Sequence, residues 1–137
     1  MALQSNSCAE LGADLDGMRV MVVEDMLLIA EVITDLLADC GCDVVGPASR
    51  VSKGVALARE QRLDGALLDV NLAGEYSFPI ATVLAARDIP FIFLTGYGEA
   101  AVPAEHRAAP TLSKPFNNDE LIRLMAAHLH RSAAAGH

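Results

Sequence analysis

Residues 19–25 read RVMVVED, a short apolar run rich in β-branched residues that ends in two adjacent carboxylates. Its length and composition predict a buried strand over Arg19–Val23. Similar runs recur along the chain, separated by helical patterns. The five predicted strands are Arg19–Val23, Val44–Val45, Ala66–Val70, Pro90–Leu94 and Thr111–Ser113. Short apolar strands that alternate with helices indicate an α/β fold, in which helices cover both faces of a parallel sheet.

The segments between the strands carry start signals of helices. Asp25 suits a helix start, and so does Ser77 with Pro79 in the first turn. Asn117, with Glu120 three residues later, resembles a capping box. The predicted helices are Met26–Cys40, Val51–Gln61, Ser77–Arg87, and Asn117 to about Arg131.

Length, composition and charge narrow the classes of function. The 137 residues suit one domain, and 53% hydrophobic residues are enough for a full core. The net charge of −8 argues against binding to nucleic acid or to an anionic membrane. The apolar runs are broken by charge well short of a membrane span, and the start of the chain lacks the pattern of a secretory signal. We therefore expect a cytoplasmic protein.

We divide the chain into one domain with two tails. The polar, aperiodic residues 1–17 predict a disordered N-terminal tail, residues 18–131 form the domain, and residues 132–137 form a C-terminal tail. Three cysteines without a framework spacing indicate free thiols in a reducing compartment. They are Cys8, Cys40 and Cys42.

Polar side chains stand at the carboxyl ends of four predicted strands. Glu24 and Asp25 follow the first strand, Asp69 lies in the third, Thr95 follows the fourth, and Lys114 follows the fifth. Taken singly, each has an ordinary explanation: a helix cap, an Asx turn, a strand-to-loop turn or a surface lysine. Ligands in open α/β sheets bind at these strand ends, however. In the strand order 2-1-3-4-5, strands one and three are neighbours, which would bring the three carboxylates together.

The grouped residues suit one kind of chemistry. Three carboxylates in one crevice repel one another, so one should have a raised pKa unless a cation is present. Hard oxygen ligands with room for water suit Mg²⁺, which we predict as the cofactor. Beside the ion, the Asp69 carboxylate can act as a nucleophile and form an aspartyl phosphate. Lys114 and the Thr95 hydroxyl would hold the other phosphoryl oxygens.

Over residues 18–131 the ordered set of motifs resembles the receiver domains of two-component response regulators. The family's acid pair, phospho-acceptor, hydroxyl residue and lysine-proline pair match, in that order, Glu24-Asp25 in VVEDM, Asp69 in LLDVNL, Thr95 in FLTGYG and Lys114-Pro115 in LSKPF. Residues 90–98 read PFIFLTGYG and are similar to the signature of FATGUY-type receivers, with Leu94 in place of the alanine. Such receivers are often single domains, served by histidine kinases of the HWE or a related class.

The resemblance implies a flavodoxin-like, doubly wound sheet of five parallel strands in the order 2-1-3-4-5. It implies a single-domain response regulator that accepts a phosphoryl group from a sensor histidine kinase onto Asp69. The signal would pass, through a conformational change, to a downstream protein or a phosphotransfer protein. The domain would not be an enzyme, beyond slow self-dephosphorylation. The implied metal ligands are Glu24 (through water), Asp25, Asp69 and the backbone carbonyl of Asn71.

One position departs from the family pattern. Three residues before the lysine, where an aromatic switch residue is usual, this chain has Thr111. Two roles stay open for Tyr97: part of the switch in place of that residue, or a cover for the sheet edge. The Lys114–Pro115 bond is predicted to be cis, because a tight turn there would aim Lys114 at the site.

The segment Gly96–Pro110 carries a weak periodic signal. It contains two glycines, two prolines and one large aliphatic residue, Val102. Little apolar area can therefore hold it to the sheet. We expect it to be the least ordered part of the domain and the main face that changes on phosphorylation. A full amphipathic fourth helix is the alternative.

Three other functions are open to a chain with these residues. A small aspartate-nucleophile phosphatase would carry a second aspartate two residues after the nucleophile, where this chain has Asn71. A degenerate receiver would bind a partner without phosphorylation, but the intact set of site residues argues against it. A nucleotide-binding module is disfavoured because Gly96-Tyr97-Gly98 lacks the third glycine and a following helix start.

Overall fold

The computed structural model describes residues 7–96 and 102–131, and its elements follow the predicted alternation of strands and helices. The strands are β1 (Arg19–Val23), β2 (Asp43–Ala48), β3 (Gly65–Asp69), β4 (Asn71–Leu72), β5 (Glu75–Tyr76), β6 (Phe91–Thr95) and β7 (Thr111–Ser113). The helices are α1 (Ser7–Glu10), α2 (Leu27–Asp39), α3 (Val51–Glu60), α4 (Phe78–Ala86) and α5 (Asn118–His128). None of the helices in these two ranges has both the length and the apolar character that crossing a membrane requires.

Five strands form one parallel sheet in the order β2-β1-β3-β6-β7. β4 and β5 pair with each other as a separate antiparallel hairpin. When only the strands of the main sheet are numbered, their order is 2-1-3-4-5, which confirms the predicted flavodoxin-like topology. The sequence does not predict the hairpin, since two-residue strands leave no periodic pattern. Its turn has positive φ angles at Ala73 (51°) and Gly74 (96°), and the Gly74 amide donates to Asn71 Oδ1 at 2.8 Å.

Alternate residues of the central strands face opposite sides of the sheet. In β1, Val20 and Val22 lie in the core beneath α2 and α5, whereas Met21 and Val23 lie in the core beneath α3 and α4. All four side chains are fully buried. Because helices cover both faces, the interior positions of these strands are apolar, and polar residues such as Arg19 and Asp69 stand at the strand ends. The strands are therefore visible in the sequence as continuous apolar runs.

The predicted helix boundaries agree with the structure to within three residues. The capping box at the start of α5 is confirmed, since Asn117 Oδ1 accepts from the Glu120 amide and Glu120 Oε1 accepts from the Asn117 amide. Asp25 does not cap α2. The capping position is Met26, which makes no side-chain hydrogen bond to the helix.

The predicted disordered tail over residues 1–17 is wrong for residues 7–17. Residues 7–10 form α1, and Leu15 is 1% exposed in the core with α2 and α5. The Arg131 guanidinium donates to the Asp16 carbonyl at 2.6 Å, which ties this segment to the residues that follow α5. The packed domain therefore begins before Met18. The predicted tails over residues 1–6 and 132–137 lie outside the described residues.

The prediction of free thiols is wrong for two of the three cysteines. Cys8 and Cys40 form a disulfide bond, with their Cα atoms 5.5 Å apart, which joins α1 to the end of α2. The bond depends on how α1 packs, and the sequence carries no signal for that packing. Cys42 is a free, buried thiol. Burial raises its pKa from 9.0 to about 11, so it is a poor nucleophile.

The connection between β6 and β7 differs from a full amphipathic helix in the part that can be described. Residues 102–110 contain a single 3₁₀ turn, Ala104–His106, and no α-helix. Residues 97–101, which include Tyr97, lie outside the described residues. Val102, the one large aliphatic residue of this segment, is half-buried, whereas His106 is buried, with 5% exposure. That the segment is the least ordered part stays a prediction.

Two helix-capping residues differ in their hydrogen bonds and give a stability prediction. Asn117 bonds the Glu120 amide at 2.8 Å, whereas among the described residues no group bonds the buried Ser77 Oγ. We expect Asn117→Ala to lower the free energy of unfolding by about 1 kcal/mol. We expect Ser77→Ala to leave it unchanged or raise it by up to about 1 kcal/mol, because a buried hydroxyl without a partner is removed. Urea unfolding measures both values, and equal losses in the two variants would contradict the assignment.

Candidate functional site

The register of the sheet brings the predicted site residues to one edge. Val23 pairs with Leu68, so Glu24, which follows β1, lies beside Asp69, which ends β3. Asp69 in turn pairs with Leu94 of β6. These strands are parallel, so their carboxyl ends meet at the same edge.

The last two strands of the sheet, β6 and β7, form the other side of the site. Thr95 ends β6 and pairs with Ser113 of β7, and the Lys114 amide donates to the Thr95 carbonyl at 2.7 Å. Thr95 is half-buried. The peptide bond from Lys114 to Pro115 is cis, as predicted. A second cis bond, Gly46–Pro47, is not predicted by the sequence.

Three carboxylates converge in this crevice. One oxygen each from Glu24, Asp25 and Asp69 lies within 4.8 Å of the others. Glu24 and Asp69 are buried, whereas Asp25 is half-buried. The expectation that these three carboxylates lie together is confirmed.

The ammonium of Lys114 lies between two of these carboxylates. Its Nζ is 2.8 Å from Glu24 Oε1 and 3.2 Å from Asp69 Oδ2. Glu24 is further held by the Met26 amide, which donates to Oε2 at 3.0 Å. The sequence analysis assigns Glu24 to the metal through water and does not foresee its direct pairing with Lys114. That pairing depends on the successive registers of β1 with β3, β3 with β6 and β6 with β7, which no local pattern specifies.

The charges of the site shift two pKa values. Burial, followed by the charge of Glu24, raises the pKa of Asp69 from 3.8 to about 7, while Lys114 opposes the shift. For Lys114, burial lowers the pKa, but its hydrogen bond to Glu24 and the charge of Asp69 outweigh burial, so the pKa is raised. Three carboxylates face one ammonium, and the excess of negative charge favours a bound cation.

The donor set fits a hard divalent cation. Carboxylate oxygens are the preferred ligands of Mg²⁺, and the half-buried Asp25 leaves an open side where water can complete an octahedron. Asn71 lies in β4, just after Asp69, and its side chain is engaged with the Gly74 amide. The part of its backbone carbonyl in metal binding stays a prediction.

An apolar groove of about 490 Å³ opens beside Lys114. Its walls come from α2, the end of β6 and the start of the loop before α5, and they include Leu28, Val32, Lys114, Pro115 and Phe116. Leu28 is 75% exposed and Val32 is 56% exposed. The helical pattern assigns Ile29, Ile33 and Leu37 to the buried face of α2. The exposed apolar residues Leu28 and Val32 lie outside that face, and they are the feature of the sequence that could have indicated the groove.

Comparison with known proteins gives a family match and several relatives. A family model described as the response regulator receiver domain matches residues 20–126. The DNA-binding response regulator MtrA of Mycobacterium tuberculosis (strain H37Rv) is 32% identical over 120 residues, which cover 83% of this chain and 51% of MtrA. The phyllosphere-induced regulator PhyR of Methylorubrum extorquens is 32% identical over 111 residues, which cover 78% of this chain and 41% of PhyR. The chain thus spans about half the length of the curated relatives it matches.

Two solved structures extend the comparison. The solution structure of SdrG from Sphingomonas melonis Fr1 has a TM-score of 0.73 and 40% identity, and the match covers 81% of this chain and 95% of SdrG. A BeF3-activated conformation of SdrG matches with a TM-score of 0.66. The receiver domain of the sensor histidine kinase PA1611 from Pseudomonas aeruginosa PAO1 matches with a TM-score of 0.64 and 26% identity, over 80% of this chain and 95% of that one. Its structure has a magnesium ion coordinated in the active-site cleft.

Proposed function

Because this chain belongs to the response regulator receiver domain family, we propose that it accepts a phosphoryl group from a histidine kinase onto Asp69 in a Mg²⁺-dependent reaction. The observation that carries the proposal is the position of Lys114 Nζ, 3.2 Å from Asp69 Oδ2 and 2.8 Å from Glu24 Oε1. The site thus combines a nucleophile, a fixed cation and an acid pair. Phosphoryl transfer asks a protein for positioning and charge stabilisation, which these groups provide.

In the proposed reaction, a carboxylate oxygen of Asp69 forms a bond to phosphorus. The bond from phosphorus to the donor breaks, and the donor atom keeps the electron pair. Asp69 must be ionised to react, and Lys114 favours the ionised form against the effects of burial and Glu24. The Lys114 ammonium, close to Asp69, would then pair with a phosphoryl oxygen, and the hydroxyl of Thr95, which ends β6, would donate to another.

Glu24, Asp25 and Asp69 are the residues that would hold Mg²⁺, with the Asn71 carbonyl added by the family resemblance. The bound ion would neutralise carboxylate charge and bind a phosphoryl oxygen. The magnesium ion in the PA1611 receiver domain supports this assignment.

The groove beside Lys114 suits a helical segment of the histidine kinase. Its apolar wall on α2 lies next to the nucleophile, so a helix docked there could present a phosphohistidine to Asp69. The exposed acidic residues of α2 would favour basic side chains on the partner. They are Glu31, Asp35 and Asp39. The HWE class of the kinase stays a prediction.

We further propose a signalling role without catalytic turnover. Asn71 stands where a phosphatase of this type would carry its general acid, and an amide cannot transfer a proton. The phosphorylated domain would act on a separate protein. The high identity to SdrG, along 95% of that chain, supports a role for the receiver domain by itself.

Acetyl phosphate with Mg²⁺ tests the phosphoryl acceptor. We expect the wild-type chain to gain the mass of one phosphoryl group and Asp69→Asn to gain none, because the amide is not a nucleophile. Asp64→Asn is the matched control, since Asp64 is also a buried aspartate next to β3 but bonds the Arg19 amide at the opposite end of the strand. Modification of Asp69→Asn at the wild-type rate would show the assignment to be wrong. If the folded wild type does not react, the result would favour a degenerate receiver. If it continuously hydrolyses phosphate esters, the result would favour a phosphatase.

Calorimetric titration with Mg²⁺ tests the metal ligands. Asp25→Ala should weaken binding on the order of tenfold or more, because a direct oxygen ligand is lost. Asp35→Ala removes the same charge from the exposed face of α2 and should change the affinity little. Equal affinities of the two variants would exclude Asp25 from the ligand set.

Two neighbouring leucines test the docking groove. Leu27 and Leu28 are 73% and 75% exposed, but only Leu28 lines the groove. With a histidine kinase that phosphorylates the wild type, we expect Leu28→Glu to slow phosphoryl transfer by about tenfold or more. A tenfold change corresponds to a loss of about 1.4 kcal/mol of binding free energy. Leu27→Glu should have a smaller effect, and both variants should react normally with acetyl phosphate. A similar slowing by both substitutions would argue against the groove.

A further inference from the structure

His106 is a buried histidine on the β6–β7 connection, and it contacts two elements at once. Its side chain is 4% exposed. Its ring centroid lies 6.2 Å from that of Phe93 in β6 and 6.4 Å from that of Phe78 in α4. Its Nε2 lies 3.3 Å from Thr82 Oγ1, one turn further along α4. One side chain therefore joins β6, which ends in Thr95, to α4, which follows the β4–β5 hairpin.

The direction of the hydrogen bond to Thr82 can be assigned. The Thr82 hydroxyl donates to the Phe78 carbonyl at 3.1 Å, so its oxygen is left to accept. We assign His106 Nε2 as the donor on this basis, and the Glu105 carboxylate, whose Oε2 lies 3.6 Å from Nε2, favours a proton on the same nitrogen.

The connection that carries His106 is bounded at both ends by residues of the Asp69 site. Thr95 ends β6 before it, and Lys114 follows β7 after it. Thr111, which pairs with Phe93, is exposed and carries no ring. Within residues 102–113, His106 is the ring that packs against the core between the sheet and α4. Phe93 is thus a direct contact between β6 and His106.

We propose that His106 is the positioning residue that passes the state of the Asp69 site to α4. Through its contact with Phe93, His106 responds to a change in β6, which we call the input. Through its hydrogen bond to Thr82, it passes that change to α4, which we call the output. This inference rests on the proposed phosphorylation of Asp69. When a phosphoryl group on Asp69 draws Thr95 inward, the end of β6 shifts, the imidazole moves with Phe93, and the bond to Thr82 lengthens or breaks.

Nuclear magnetic resonance with beryllofluoride and Mg²⁺ as the probe tests the input. In the free protein the imidazole nitrogens of His106 should report an Nε2–H tautomer. Adding the probe should shift these nitrogen signals and the methyl signal of Thr82, and Asp69→Asn should abolish both shifts. Fluorine spectra report separately whether the probe is bound. Absence of bound beryllofluoride would count against the proposed function, whereas a bound probe with unchanged His106 and Thr82 signals would overturn this inference.

Two conservative variants test the output. Thr82→Val and His106→Phe both remove the hydrogen bond and keep a side chain of similar shape in place. Phe78 also contacts Phe93 directly, with ring centroids 5.9 Å apart, so the first turn of α4 is an internal control. In both variants the probe should still shift the amide signals of Phe93 and Phe78, while the shifts of the second turn of α4 are lost. Full shifts of that second turn in both variants would overturn the proposal.

Discussion

The structure depends on one electrostatic constraint: two buried carboxylates at a sheet edge share a single ammonium. Glu24 and Asp69 are almost fully buried, and Lys114 lies within 3.2 Å of both. Without Lys114, burial and mutual repulsion would penalise the ionised carboxylates severely. With it, a negative excess remains, since Asp25 adds a third carboxylate. The same excess of negative charge favours a bound cation, which the proposed phosphoryl transfer to Asp69 requires.

The rest of the fold serves to hold these groups in place. Helices on both faces bury all residues of the central strands except Arg19 and Thr95, and this packing makes the sheet rigid and fixes its register. The parallel pairing of β1, β3, β6 and β7 then puts four polar residues at one edge, although they are separated by up to 90 positions in the chain. The apolar groove on α2 lies beside this edge, so the proposed nucleophile and the proposed docking surface are neighbours.

The segment that connects β6 to β7 has little regular structure in its described part. The described part of the β6–β7 connection has one 3₁₀ turn, and its buried side chain is an imidazole set among aromatic rings. A histidine in this setting can pack as a ring and also donate a hydrogen bond, which a phenyl ring cannot do. That combination keeps the described part of the connection, residues 102–110, in contact with both β6 and α4.

The sequence by itself determined the order of the elements, the parallel sheet and the five residues that converge on the site. It could do so because buried strands are continuous apolar runs, and because strand ends in a parallel sheet share one edge. Tertiary structure alone decided that Glu24 pairs with Lys114, that α1 and Leu15 complete the core, that Cys8 meets Cys40, and that His106 is buried. Each of these depends on a contact between segments far apart in the chain. Such contacts are selected by packing and register, which leave no periodic or local pattern in the sequence.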